Sequence, residues 1–329
     1  MKTDPGSDRP TVELDAAYRI LTEEAGSVAR TSLGFVAVTG ADAIEFLQGQ
    51  LSNDLESLEP GNGTYAALLD RKAHIVADCR AVVVDRERVL LIAEAPAALA
   101  LASHLETYRI GREVEVVDLS TERSLVSLIG PAARALLDVA ETGREYSNSE
   151  ASIEGIECMT LGTPEGVDLI CAETDRIRLE EALHAKGFVE VPERAAEIIR
   201  IELGIPRFGF ELDHTLMPAE AGIVERAINF EKGCYLGQEP VARLHYKGRP
   251  NRLLRGLRAS RPIERGQRIH GRDRDLGEVS SACISPALGA IGLAVIRREA
   301  EPGETVLIGE DEVEAEVVEL PLRDLAGLH

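Results

Sequence analysis

No stretch of this sequence is apolar over the roughly 20 residues that a membrane-spanning helix needs. The first ten residues are polar and lack the apolar segment of a secretory signal, so we expect a cytoplasmic protein with no membrane partner. The sequence also contains no P-loop, no HExxH motif and no GxSxG motif. Gly289-Ala-Ile-Gly292 is too short to indicate a dinucleotide-binding turn.

Cysteine is scarce and wrongly spaced for a disulfide framework or a zinc site. The five cysteines are odd in number and form no C-x-x-C pair, and the seven histidines show no metal-ligand spacing. We therefore expect no bound metal. Four of the cysteines stand in apolar, strand-like runs and are predicted to be core thiols: Cys79, Cys158, Cys171 and Cys283.

The charge of the chain is strongly negative but unevenly placed. A net charge of −21 argues against DNA and against general nucleic-acid binding. The segment from Arg243 to Arg274 nevertheless holds eleven Lys or Arg residues against two acids. This basic segment fits a small anionic ligand, an RNA or an acidic partner. It fits equally well a solvated, salt-bridged strand edge, on which cations discourage edge pairing.

The hydrophobic pattern predicts an α+β chain of two or three subdomains over 329 residues. Two strand–helix–strand units, at 89–117 and 167–191, have the size of a split βαβ motif and predict ferredoxin-like halves. The polar stretch Arg144 to Glu154 is predicted to be a surface loop. After Pro250, short strand-like runs separated by Gly and Pro predict an all-β module, a small barrel.

One stretch combines a thiol, an amide, a carboxylate and a cation within a few residues: Lys232, Gly233, Cys234, Tyr235, Leu236, Gly237, Gln238 and Glu239. Glycine on both sides of the cysteine indicates tight turns or a close approach of the backbone to a ligand. Nearby Lys232 and Arg243 favour the thiolate form of Cys234. A small buried turn residue is the alternative for this cysteine, and a Cys234–His245 nucleophile is a third interpretation.

This stretch, followed by Arg243, resembles the signature of the YgfZ/GcvT folate-binding family. The run from Val38 to Gly49 resembles the opening of that family's folate-binding domain. The resemblance covers nearly the whole chain and implies a ring of three subdomains with a C-terminal β-barrel. It implies an N-terminal helix and tail at 1–28, a folate-binding region of two interleaved α+β subdomains at 29–245, and the barrel at 250–329.

The resemblance also implies site residues. In the family's T-protein a glutamate grips the pterin ring, and the matching residue is Glu202. A carboxylate can accept both hydrogens of an amidine-like pair, although Glu202 could also be solvated or pair with a neighbouring arginine. We further assign Asn53, Gln238 and Arg243 to folate binding. The T-protein has two adjacent catalytic-site acids where this chain has Ala77 and Asp78, so one acid remains.

Three functions follow from these residues. The first is a YgfZ-like, tetrahydrofolate-binding protein that acts through Cys234 in iron–sulfur cluster assembly or repair, with iron–sulfur client proteins and tRNA-modifying enzymes as partners. The second is a folate-dependent aminomethyltransferase of the T-protein type, in which Asp78 is the catalytic group. The third is a non-catalytic adaptor that docks an acidic partner or tRNA through Arg249, Arg252 and Arg255. The three functions differ in whether the protein is an enzyme: the second requires substrate turnover and the third requires none.

Overall fold

The computed structural model describes residues 12–137, 144–271 and 274–323. The helices in these ranges are α1 (Leu14–Glu23), α2 (Ala43–Gln50), α3 (Ala95–Tyr108), α4 (Ala133–Leu137), α5 (Arg176–Ala185), α6 (Glu193–Leu203), α7 (Val224–Ala227) and α8 (Gln238–Lys247), with a 3-10 turn at Glu173–Asp175. The predicted helix from Pro131 to Val139 corresponds to α4, and its residues 138 and 139 lie outside the described ranges.

The strands form three sheets. Those of the first two sheets are β1 (Gly26–Ala29), β2 (Leu33–Thr39), β3 (Asn62–Leu69), β4 (Ile75–Asp85), β5 (Arg88–Glu94), β6 (Glu115–Asp118), β7 (Arg123–Ile129), β8 (Asn148–Ile153), β9 (Ile156–Thr163), β10 (Gly166–Ala172) and β11 (Val189–Glu190). Those of the third are β12 (Arg252–Ala259), β13 (Arg268–His270), β14 (Asp275–Glu278), β15 (Ser281–Ser285), β16 (Gly289–Arg297), β17 (Thr305–Ile308) and β18 (Val313–Val318).

The first two sheets belong to two α/β units with the same order of elements. The first unit runs β2-α2-β3-β4-β5-α3-β6 and the second β7-α4-β8-β9-β10-α5-β11. Their sheet orders are β3-β4-β5-β2-β6 and β8-β9-β10-β7-β1-β11, so β1 is inserted between β7 and β11. The chain therefore contains an internal structural repeat, larger than the strand–helix–strand pieces that the sequence predicted.

A matching turn follows the first strand of each unit. Gly40 and Gly130 have φ angles of 124° and 127°, a region that side chains rarely adopt. A β-carbon at Gly40 would collide with the carbonyl oxygen of Glu113, and one at Gly130 with that of Glu24. Both turns need glycine because the turn backbone lies directly against a neighbouring backbone segment.

The two units share a buried layer between their sheets. Phe35, Val82 and Ile92 of the first unit pack against Leu125 and Ile170 of the second. Helices α2 and α3 cover the outer face of the first sheet, and α4 and α5 cover that of the second. Successive side chains of a strand point to opposite faces of its sheet. Polar residues on the face that is turned towards the other unit therefore lie between the two sheets.

The C-terminal strands form a curled antiparallel sheet in the order β14-β13-β17-β18-β12-β16-β15, with its own apolar core. It packs against α6 through Ile201, Leu254 and Leu293. The predicted α+β class is confirmed. Within the described ranges, no helix combines the length and apolar character needed to cross a bilayer.

One local prediction was wrong. The stretch predicted as a loop from Arg144 to Glu154 contains β8, which pairs with β9 at the edge of the second sheet. Its polar pattern arises because an edge strand exposes most of its side chains.

Replacing Gly40 by alanine should lower the free energy of unfolding by roughly 2–3 kcal/mol, because the new side chain requires an unfavourable φ and meets the Glu113 carbonyl. Urea denaturation would measure the loss. Gly49→Ala is the matched control, since it lies in α2 with open space around it, and its stability should be unchanged or slightly raised. Equal stability of the two variants would contradict the constraint at Gly40.

Candidate functional site

A cavity of about 530 Å³ lies between the two α/β units and α6. This volume is in the range of small-molecule sites, which run from roughly 300 to 1,000 Å³. Its charged lining consists of five carboxylates and five guanidinium groups: Asp78, Glu94, Glu145, Glu165, Asp168, Arg30, Arg80, Arg200, Arg207 and Arg226. A cavity so rich in paired charges, in a buried position, suits a polar ligand with several hydrogen-bonding groups.

Asp78 presents an unsatisfied carboxylate oxygen in this lining. The hydroxyl of Tyr65 donates to Oδ2 of Asp78 at 2.8 Å, whereas the buried Oδ1 has no hydrogen-bond partner. Burial raises the pKa of Asp78 to about 6, although the bond from Tyr65 opposes the shift. A buried acceptor without a partner costs free energy in the free protein, so this oxygen is set up to receive a ligand donor.

Asp168 and Arg80 join the two units across the cavity. Nη1 of Arg80 on β4 donates to Oδ2 of Asp168 on β10 at 2.5 Å. The Asp168 side chain is only 6% exposed, so the pair is largely removed from water. No described residue donates to the second oxygen of Asp168, which leaves a carboxylate acceptor in the cavity wall.

Arg226 closes another part of the wall. Its guanidinium donates to Glu145 at 2.6 Å and to the hydroxyl of Tyr146 at 2.9 Å, and lies 5.3 Å from the ring centre of Tyr65. Tyr146 has a φ of 63°, an uncommon backbone conformation for a tyrosine. The Arg226 side chain thus connects the first unit to the segment that precedes β8.

Asn53 lies behind this wall. Its amide donates at 2.9 Å to the Thr64 hydroxyl and to the backbone carbonyls of Tyr65 and Arg226. Asn53 is absent from the cavity lining. We therefore see it as a support for Tyr65 and Arg226, and its direct contact with folate stays a prediction.

Glu202, the residue predicted to hold the pterin, has other side-chain partners in the structure. Its side chain is fully buried outside the cavity lining, and the Tyr18 hydroxyl lies 2.9 Å from both carboxylate oxygens. Ser285 also donates to Glu202, and Arg323 forms an ion pair with it at 3.5 Å. These partners occupy the carboxylate, which ties α1 and the C-terminal segment to α6. Neighbouring Leu203 and Gly204 face the cavity instead.

The signature loop stands apart from the cavity. Cys234 is exposed, while Cys79, Cys158 and Cys171 are buried and Cys283 is half-buried. The Lys232 ammonium donates at 2.7 Å to the carbonyl oxygens of residues 48, 51 and 53. It is therefore engaged by the end of α2 rather than by the thiol. Cys234 is not the buried turn residue of the alternative interpretation.

Gly237 explains part of the signature. It has a φ of 83°, and a β-carbon there would lie 2.6 Å from the carbonyl oxygen of Asp70. The loop thus packs against the turn between β3 and β4. Gly233, in contrast, has open space around its α-carbon. Tyr235 packs into the core of the first unit, and Glu239 is exposed on α8.

The remaining predicted site residues are also absent from the cavity lining. Gln238 begins α8 and is half-buried, and Arg243 is exposed on the same helix. Neither contributes to the cavity. His245 stacks on Phe230 with ring centres 4.2 Å apart, so the proposed cysteine–histidine pairing gains no support from the ring position.

The basic segment divides into two parts. Four of its arginines form ion pairs within the chain, including Arg252 with Glu220 at 3.1 Å and Arg255 with Glu319 at 3.2 Å. Three more, Arg258, Arg261 and Arg265, donate to backbone carbonyl oxygens. The salt-bridged strand edge is therefore the better description of residues 252–271 and 274. Arg243, Lys247 and Arg249 have no ionic partner among the described residues. Arg272 lies outside the described ranges.

Sequence reasoning missed Asp168 and Arg80. Each is a charged residue inside an otherwise apolar strand run, Gly-Val-Asp-Leu-Ile-Cys and Cys-Arg-Ala-Val-Val-Val. Charged residues are seldom buried without a partner, so the two interruptions were a usable signal. What the sequence does not contain is their distance in space, since 88 residues separate them.

Comparisons with known proteins agree with this architecture. Residues 13–232 match the family model described as the GCVT N-terminal domain. Residues 252–324 match the model described as the glycine cleavage T-protein C-terminal barrel domain. This chain belongs to the glycine cleavage T-protein family. The resemblance to the broader YgfZ/GcvT grouping is confirmed at the level of the GcvT family.

Individual members of the T-protein family are similar along most of the chain. An aminomethyltransferase of Rubrobacter xylanophilus is 30% identical, covering 94% of this chain and 86% of its own length. An aminomethyltransferase of Frankia alni is 34% identical, covering 83% and 78%. The crystal structure of aminomethyltransferase T from Bartonella henselae superposes with a TM-score of 0.84 at 23% identity, covering 94% of this chain and 89% of that one. This superposition supports the shared fold.

The pH dependence of the free energy of unfolding should reveal the protonation of Asp78. Between about pH 4 and 6 the folded protein keeps the Asp78 proton that the unfolded chain releases, so the wild type loses stability as pH rises through this window. Asp78→Asn cannot ionise. Its stability relative to wild type should therefore rise from pH 4 and level off above pH 6, by on the order of 3 kcal/mol.

Urea denaturation at several pH values would test this expectation. Asp311→Asn, at an exposed turn position, is the control and should show no such trend. A flat difference between Asp78→Asn and wild type would show that Asp78 does not titrate in this window.

Proposed function

We propose that this protein is a folate-dependent one-carbon transferase of the aminomethyltransferase type, with its site in the cavity between the α/β units. The observation that carries the proposal is the buried, unpartnered Oδ1 of Asp78 in the cavity lining. The family and the names of its similar members support this function over the iron–sulfur function that the signature suggested.

The cavity residues fit tetrahydrofolate. The free oxygen of Asp168 is an acceptor for the amidine-like N–H pair of a pterin, and a carboxylate oxygen strengthens such bonds. Arg80 orients Asp168 through its ion pair. Tetrahydrofolate would supply the nitrogen atoms that accept the one-carbon unit. In this arrangement Asp168 takes the pterin-binding role that the sequence assigned to Glu202.

Asp78 is the group best placed to handle a proton or to stabilise positive charge. The Tyr65 hydroxyl donates to Oδ2 and so holds the carboxyl group in one orientation. Oδ1 has no protein partner and can therefore contact a ligand. A pKa of about 6 leaves the group mostly ionised at neutral pH, yet close enough to exchange a proton. The buried surroundings strengthen its interaction with a developing cation. One acid is sufficient for either task.

A second candidate function is the YgfZ-like role in iron–sulfur cluster assembly or repair, with iron–sulfur proteins and tRNA-modifying enzymes as clients. The specific observation in its favour is Cys234, an exposed thiol on a loop held by Lys232 and Gly237. The loop is remote from the cavity lining, so the thiol would act on a partner at the surface. In the described ranges, no group of three or more His, Cys, Asp or Glu forms a metal site.

Folate binding is tested by calorimetric titration with tetrahydrofolate. We expect saturable binding by the wild type and at least a tenfold weaker affinity for Asp168→Asn, because the neutral amide offers one weaker acceptor in place of a charged oxygen. Glu202→Gln should keep wild-type affinity even if it unfolds more easily. The opposite order of effects would return the pterin role to Glu202, and absence of wild-type binding would reject the folate site.

Asp78 and Cys234 separate the two candidate functions. In one-carbon transfer to tetrahydrofolate from an aminomethyl-lipoyl donor, Asp78→Asn should reduce the rate roughly a hundredfold or more with little change in folate affinity. Cys234→Ser should leave the rate unchanged. If the wild type shows no transfer, and Cys234→Ser fails to restore iron–sulfur enzyme activity in a deletion strain that wild type rescues, the second function replaces the first.

A further inference from the structure

Two buried cysteines face each other on neighbouring strands of the second unit. Cys158 of β9 is the register partner of Cys171 of β10 in an antiparallel pair. Both side chains belong to the apolar cluster under α4 and α5, so both lie on the outer face of the sheet. Neither contributes to the cavity between the units.

The hydrogen bonds along β9 define the type of this pair. The N–H of Gly162 donates to Ser147 and its carbonyl accepts from Tyr146, both at 2.8 Å. Both backbone groups of Gly162 therefore hydrogen-bond on the β8 side of β9, and neither bonds to β10. Bonded and non-bonded positions alternate along an antiparallel strand, so Cys158, four residues earlier, also bonds away from β10.

The hydrogen bonds at the end of β10 lead to the same assignment. The N–H of Glu173 donates to the carbonyl of Glu122 at 2.9 Å, on the β7 side. Cys171, two residues earlier, consequently bonds towards β7 as well. Cys158 and Cys171 thus occupy a non-hydrogen-bonded position between their two strands, where the side chains approach most closely.

We propose that Cys158 and Cys171 form a reversible cross-strand disulfide in the folded protein. Cα atoms at a non-hydrogen-bonded position are about 4.5 Å apart, and disulfides span Cα separations of about 4.4 to 6.8 Å. The backbone already meets this requirement. At present the Cys158 thiol lies 3.5 Å from the Ala151 carbonyl oxygen, so its side chain would rotate towards Cys171.

A peroxide is the class of oxidant that the position admits, because it is small. The Cys158 thiolate attacks one peroxide oxygen, the O–O bond breaks, and the departing hydroxide takes a proton to become water. The Cys171 thiolate then attacks the sulfur of the Cys158 sulfenic acid, and the S–O bond breaks to release a second water. Two thiols and one peroxide give one disulfide and two waters, with sulfur oxidised and oxygen reduced.

The surroundings set the rate and the order of these steps. Burial raises the pKa of both thiols to about 11, so few are ionised at neutral pH and oxidation should be slow. Cys158 is 7% exposed and Cys171 is 0% exposed, which makes Cys158 the first to react. The bond would fix the two strands that hold Asp168 and the Glu165 turn. It would therefore stiffen one wall of the cavity.

Peptide mapping of the full-length protein after hydrogen peroxide treatment tests the proposal. The Cys234→Ser variant removes the exposed thiol from the reaction. We expect a linked peptide pair containing Cys158 and Cys171, an intact mass lower by two hydrogens, and recovery of both thiols with dithiothreitol. The rate should rise roughly tenfold per pH unit between pH 7 and 9, as the thiolate fraction does.

The control is Cys171→Ser in the same background, which should not lose two hydrogens. Its Cys158 should stop at the sulfenic acid or react with an added thiol. Loss of two hydrogens in this control, or a linked peptide with different cysteines, would overturn the proposal. Full alkylation of both thiols after unfolding the peroxide-treated protein would also overturn it.

Discussion

The buried ion pair between Arg80 and Asp168 decides how the two α/β units meet. Each charge interrupts an apolar strand of its own unit, and burial of either alone would be costly, of the order of 3–5 kcal/mol when one partner is removed. Because the partners belong to different units, the charges are satisfied only when the sheets face each other in one register. The cavity is the space that this pairing keeps open beside the shared apolar layer.

Much of the architecture could be read from local signals. The strand–helix–strand patterns at 89–117 and 167–191 depend on neighbours in sequence, and they agree closely with β5-α3-β6 and β10-α5-β11. Edge strand β8 was not predicted because most of its side chains are exposed to solvent. Its polar sequence therefore looks like that of a loop. Asp78 was predicted from a resemblance, and the structure places it in the cavity with its Tyr65 partner.

The rest of the site depends on contacts between distant residues. Glu202 sits one position from Leu203, which faces the cavity, yet a helix turns about 100° per residue and directs the two side chains differently. Its partners Ser285 and Arg323 come from the far end of the chain. Likewise, the partners of Arg252 and Arg255 could not be assigned from the sequence, because Glu220 and Glu319 lie 32 and 64 residues away along the chain.

The insertion of β1 between β7 and β11 has a consequence for synthesis. Strand β1 leaves the ribosome first, but its partners begin at Arg123 and Val189. At roughly 5–20 residues per second, β1 waits several seconds or longer with unpaired edges. The first unit pairs only its own strands and can form during that interval. The second sheet is then completed around a strand made before the first unit, so the nascent chain must keep β1 accessible until late in translation.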